Sequence, residues 1–173
     1  EKELGLMKYN PTCVERDGCR FVLKQTGDKP IIVIGLNPST ADANKSDATM
    51  RRIMGYAERN GFDSFIMFNL YPQRTTNPNG LDSELDESKH ESNLEAIKYV
   101  IKGIENPTIL LGYGNNIRIR GYLQKCLKDI VAILMEYTPS FVKIGQYTKL
   151  GVPRHPSRGS YQELTQVDIN SLI

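Results

Sequence analysis

Four short polar phrases carry the residue types that could do chemistry, and each follows an apolar run. "GLNPST" places Asn37, Ser39 and Thr40 after "PIIVI", and "NLYPQR" places Asn69, Gln73 and Arg74 after "SFIMF". "GYGNN" places Tyr113, Asn115 and Asn116 after "PTILL", and "PRHPS" places Arg154, His155 and Ser157 beyond "SFVKI". Amides donate and accept, guanidinium only donates, and neutral imidazole does one of each. Such groups can read the hydrogen-bonding edge of a polar ligand and hold a developing oxyanion. Other chemistries lack their signatures. There is no Lys-bearing phosphate loop, no dinucleotide glycine series and no Gly-x-Ser-x-Gly elbow. Asp42, Asp47 and Asp63 form no strand-end pair with a third carboxylate, and Cys13, Cys19 and Cys126 with His90 and His155 fit no zinc spacing. No metal and no cofactor is expected. Each phrase also has a plain structural reading. Asn-Pro initiates turns, Asn69 could form an ordinary Asx turn, His155 could be a surface residue held by its proline, and Arg51 and Arg52 could be a solvated helix face.

The elements that must position these residues follow from hydrophobic periodicity. "TCVERDGCRFVLKQ" (12–25) predicts a hairpin around Asp17-Gly18, a dipeptide suited to positive φ. Buried strands are predicted at 30–35, 64–72, 107–114 and 140–146, the first β-branched and uniformly apolar as central parallel strands tend to be. Between them, "SDATMRRIMGYAERNGF" repeats Met50, Ile53, Met54 and Ala57 at helical spacing, with Ser46 or Asp47 as cap and Gly61 as stop. Helices are likewise predicted over 91–104 and over "NNIRIRGYLQKCLKDI", with the acidic stretch 80–91 as a solvated loop. Alternating strands and helices predict an α/β fold, a parallel sheet covered on both faces. Ligands of such sheets bind beyond the carboxyl ends of the strands, where all four polar phrases fall.

Length and charge bound the rest. The 173 residues predict one domain, 1–173, large enough to bury a core. With 22 basic and 20 acidic residues the formal charge is +2, so no global basic field exists and any polyanion site must be local. No apolar run reaches the roughly 18–20 residues of a membrane span, and "EKELGLMKYN" has no signal-peptide core, which predicts a cytoplasmic protein without a membrane partner.

The order of the strand tips resembles the uracil-DNA glycosylase superfamily, on "GLNPS", on "FNLYP" with Asn69 and on "RHPSRGS" with His155. Nearly the whole chain is similar to a widespread bacterial domain family of unknown function, on "LNPSTAD", "DATMRR", "NLYPQRTTNP" and "GVPRHPS". The glycosylase resemblance implies a three-layer α/β/α domain whose four-stranded parallel sheet has the spatial order 2-1-3-4, plus the N-terminal hairpin. It implies a pocket for a nucleobase or nucleotide, with nucleic acid as a partner and hydrolysis of an N-glycosidic bond as the activity. Asn37 would hold the water and His155 would donate to the departing base. Asn69 would read the base edge, with Ser39, Arg74, Arg154 and Ser157 as further contacts and Lys149 and Arg158 near phosphates. Asn37 stands where the most active members have aspartate, and an amide cannot accept the proton of water. The alternatives are a non-catalytic nucleotide or nucleic-acid binding module, and a small-molecule enzyme acting on nucleosides.

Overall fold

A computed structural model describes residues 7–44, 47–157 and 159–173. Seven strands, β1 (Thr12–Arg16), β2 (Cys19–Gln25), β3 (Pro30–Gly35), β4 (Ser64–Asn69), β5 (Thr108–Leu111), β6 (Ser140–Ile144) and β7 (Leu164–Gln166), form one sheet in the order β1-β2-β4-β3-β5-β6-β7. The pairings β4–β3, β3–β5 and β5–β6 are parallel, while β1–β2, β2–β4 and β6–β7 are antiparallel. The expected four-stranded parallel sheet is therefore corrected to a seven-stranded mixed one. The hairpin extends the sheet through β2 against β4 rather than lying apart from it. β7, whose three residues carry no apolar run, closes the opposite edge.

Three α-helices cover the sheet: α1 (Ala48–Arg59), α2 (Glu87–Ile101) and α3 (Tyr122–Leu134). Strand alternation divides the core. Ile31 and Val33 of β3 pack with Met50, Ile53, Met54 and Ala57 of α1, whereas Ile32 and Ile34 face Ile97 and Ile101 of α2 and Leu123, Leu127 and Ile130 of α3. Asp47 caps α1 by accepting from the Met50 N–H at 2.9 Å; Ser46, the other expected cap, lies outside the described residues. The acidic stretch 80–91 is not a solvated loop. Asp82 accepts from the Tyr71 hydroxyl at 2.6 Å and pairs with Lys89 at 2.7 Å, and Asp86 caps α2. Buried His90 of α2 lies 2.8 Å from Asp129 of α3, joining the two helices on that face.

The hairpin turn is left-handed at both central residues, with φ of 53° at Asp17 and 78° at Gly18. Gly18→Ala should therefore cost about 1 kcal/mol and lower Tm by roughly 2–4 °C. Gly121→Ala, at φ −59° with no atom near the added methyl, should raise Tm instead. Differential scanning calorimetry of the two variants checks the opposite signs.

Candidate functional site at the carboxyl edge of the sheet

The site begins with a register. In the β3–β4 pair Gly35 stands opposite Asn69, so both strands end side by side. Their exits stay joined, the Leu70 N–H donating to the Gly35 carbonyl at 2.9 Å and Tyr71 N–H to Leu36 at 3.1 Å. The Asn37 amide nitrogen lies 3.0 Å from the Pro38 carbonyl, 3.2 Å from Gln73 and 3.0 Å from Thr75, binding the loop after β3 to the loop after β4. That side chain braces the pocket with its N–H groups, leaving only its oxygen to accept from a ligand or water.

Between these loops, the start of α1 and the end of β5 lies a cavity of about 220 Å³. Asn37, Ser39, Asn69 and His155 all line it. Asn69 is fully buried, and among the described residues neither its amide oxygen nor its amide nitrogen has a hydrogen-bond partner. Its backbone is fixed from behind, since Asn93 of α2 donates to the Asn69 carbonyl at 3.0 Å. Gly35 makes room for the side chain: a methyl there would come within 2.9 Å of the Asn69 amide oxygen.

His155 arrives from the loop beyond β6. Pro156 seats on Gly112, where an added methyl would lie 3.3 Å from its Cδ, and His155 backs onto Gly114, whose φ is +70°. Arg52 of α1 donates to the Pro156 carbonyl at 2.9 Å and stacks its guanidinium over Tyr161, 4.3 Å from the ring centre. Arg52 is thus not a merely solvated residue; it latches the His155 loop to α1. Partial desolvation lowers the pKa of His155 and the nearby Asp47 carboxylate opposes the shift, while the exposed rim position moderates both.

The other expected contacts divide. Arg74 does not line the cavity; it donates to the carbonyls of Ser39 at 2.5 Å and Ala41 at 3.2 Å and pairs with Glu15 at 2.7 Å, tying the loop after β3 to β1. Arg154 and Ser157 line an adjoining cleft of about 580 Å³ that shares Tyr113, Asn116, His155 and Pro156 with the cavity. Arg154 is anchored there on the Gln146 carbonyl at 2.8 Å. Lys149 lines neither, and Arg158 lies outside the described residues.

Two charged residues of the cavity were not expected as contacts. Asp47 lines the wall, its carboxylate accepting from the Ser39 hydroxyl at 3.2 Å as well as from Met50 N–H. Arg20 comes from β2, whose antiparallel direction brings a strand beginning to the edge where parallel strands end. Its signal in the sequence was a lone cation inside the apolar run "CRFVL". Among the described residues no three His, Cys, Asp or Glu side chains cluster as a metal site would require.

Residues 20–157 match the family described as "Protein of unknown function (DUF1643)". This chain belongs to the DUF1643 family. No curated protein and no solved structure matches it. The DUF1643 segment runs from Arg20 to Ser157 and so contains every residue lining the cavity, whereas β1 and β7 lie outside it.

Gly35→Ala should leave the fold cooperative, because the Met67 methyl, 2.5 Å from the added carbon, sits at the end of a flexible chain. It should displace the Asn69 amide and weaken ligand binding by about 1–3 kcal/mol. Melting curves beside titration calorimetry separate the two effects. For His155, whose folded pKa is depressed, the neutral ring's contribution is complete above the unfolded value of about 6.5 and is lost as pH falls through that value toward the folded one. Acidification from pH 7 to 5 should therefore lower Tm more in the native protein than in His155→Gln.

Proposed function

We propose that this DUF1643 protein binds a nucleobase in the cavity at the carboxyl edge of its sheet, with Asn69 reading the base edge. The observation that carries the reading is the Asn69 amide, fully buried in the cavity wall with donor and acceptor both unpartnered among the described residues. A buried amide without partners costs about 1–3 kcal/mol, which a ligand presenting one acceptor and one donor returns. At about 220 Å³ the cavity falls below the roughly 300–1,000 Å³ of drug-sized sites, which favours a single ring system over a whole nucleotide. The adjoining cleft, with Arg154 and Ser157 in its walls, then takes the sugar and phosphate. The order of Asn37, Asn69 and His155 along the chain, similar to that of the uracil-DNA glycosylase superfamily, supports the same ligand class.

A second reading, hydrolysis of the N-glycosidic bond, is favoured by the presence of Asp47 and His155 in one cavity wall. Asp47 is the proton acceptor that Asn37 cannot be. In that reaction the carbon–nitrogen bond breaks with its electron pair leaving on the base, and the His155 N–H donates to the base oxygen where charge gathers. Water adds to the sugar carbon, passes its proton to Asp47, and the proton reaches the departing base. The products are the free base and the sugar hydroxyl.

Titration calorimetry with free bases, nucleosides and short single- and double-stranded oligonucleotides tests the first reading. Micromolar binding is expected, and Asn69→Leu should abolish it while leaving stability unchanged or raised, because the unpaired amide goes with the ligand contact. Absence of binding to all of these ligands overturns the reading. Release of free base from oligonucleotides carrying uracil, hypoxanthine or alkylated bases tests the second. His155→Ala should slow release roughly a hundredfold or more, and binding without release leaves a reader that does not turn over.

A further inference from the structure

The chain between the His155 loop and β7 returns across α1 with Tyr161. The tyrosine ring lies on Gly55, where an added methyl would overlap its hydroxyl and ring carbons. Glycine inside a helix is less favourable than alanine, and here the missing side chain is what lets the ring seat. Arg52 and Arg59 stand about two turns apart on one side of α1, and their guanidinium carbons lie 4.3 and 3.8 Å from the centre of the Tyr161 ring. Tyr56 meets the same ring edge-on at a centroid distance of 4.8 Å, and its hydroxyl accepts from the Gln162 N–H at 3.3 Å. One member of this stack reaches further. Arg52 also donates through Nε to the Pro156 carbonyl at 2.9 Å. An arginine side chain has many rotamers, and its Nε–H lies in the guanidinium plane. A ring laid against that plane fixes its direction, so the Nε–H meets the carbonyl with less freedom left to lose.

We propose that Tyr161, which lies beyond the segment 20–157 shared with the DUF1643 family, is a positioning residue for His155: its ring orients the Arg52 guanidinium, and Arg52 holds the Pro156 carbonyl. Pro156, fixed in φ and seated on Gly112, passes that hold to the residue before it, which stands against Gly114 at the cavity rim. The functional part of this inference rests on the cavity being the ligand site, whereas the positioning itself does not. The groups that share this corner with the imidazole are Asp47 at the start of α1, Tyr113 beyond β5, and Arg154 beside it in its own loop. Desolvation lowers the pKa of His155 and the Asp47 carboxylate acts the other way. Both influences require the ring to stay where the loop places it, so its titration reports whether the loop is held.

The test follows the two histidine rings of the chain by NMR as pH is varied. The resonances of His90, buried and bound to Asp129, report that the fold is intact. Tyr161→Phe keeps the ring and should leave the His155 titration native. Tyr161→Leu removes the π face and releases the loop. The imidazole then gains water and leaves Asp47, and because desolvation is the larger influence its pKa should rise toward the ordinary value of about 6.5. Arg52→Lys, whose ammonium has neither the plane nor the Nε–H, should give the same rise. The double variant should show no larger rise than either single one, as it must if Tyr161 acts through Arg52. A native His155 titration in a folded Tyr161→Leu, an equal rise in Tyr161→Phe, or additive rises in the double variant overturn the inference. Should Tyr161→Leu fail to fold, Gly55→Ala, which unseats the ring without removing it, takes its place with the same outcomes. In the base-release assay Tyr161→Leu should be about tenfold or more slower than the native protein and Tyr161→Phe equal to it; an equal rate in Tyr161→Leu overturns the functional part. Absence of release by the native protein overturns the hydrolysis reading instead, and the His155 titration then decides this inference alone.

Discussion

The pairing of Gly35 with Asn69 across β3 and β4 is the constraint on which the site depends. A parallel register shifted by one residue would turn the asparagine to the opposite face of the sheet, among the α2 and α3 side chains, and leave the cavity without its polar wall. The absence of a β-carbon at position 35 gives the amide the room it occupies. Asn93 from α2 fixes its main chain, and the crossed bonds of the Leu70 and Tyr71 amides hold the two loops that follow. An apolar residue at position 69 would satisfy packing on its own. The fold instead keeps an amide there at a cost in stability, and costs of that kind concentrate where a ligand compensates them.

Around that register the four polar loops have unequal tasks. The loops after β3 and β4 brace one another, through Asn37 and Arg74, and so define the shape of the cavity more than its chemistry. The loop beyond β6 supplies His155 and is held by α1 through Arg52, so the helix that forms one wall also fixes the opposite lip. The DATMRR phrase thereby gains a single physical account: its aspartate caps the helix and faces the cavity, its methionine packs under β3, and its second arginine holds the histidine loop.

Much of this was legible in the sequence, and the exceptions have physical causes. The parallel strands were visible because strands buried on both faces must be apolar throughout, and their polar tips fell at one edge because parallel strands share a direction. Strand β7 and the attachment of the hairpin were not visible, since edge pairing depends on main-chain hydrogen bonds that leave little trace in side-chain pattern. Asn69 could be placed from its position alone, while its isolation could not, because the lack of a partner is a property of the surrounding space. The engagement of Arg74 was not legible for the opposite reason: the carbonyls of Ser39 and Ala41 to which it donates belong to a loop distant in sequence. Arg20 was overlooked because only antiparallel entry of β2 brings the start of a strand to that edge.

The two outer strands have a bearing on how small a working fragment of this chain can be. The segment shared with the DUF1643 family begins at Arg20 and stops at Ser157, enclosing the cavity but neither β1 nor β7. Cut to those limits, the sheet would present β2 and β6 as bare edges, and β6 carries the apolar residues Phe141, Val142 and Ile144. Unpaired apolar edges recruit strands from other molecules. β1 and β7 therefore act as selvedges: they line no part of the cavity, yet they cover the edges along which copies of the shorter sheet would be free to pair.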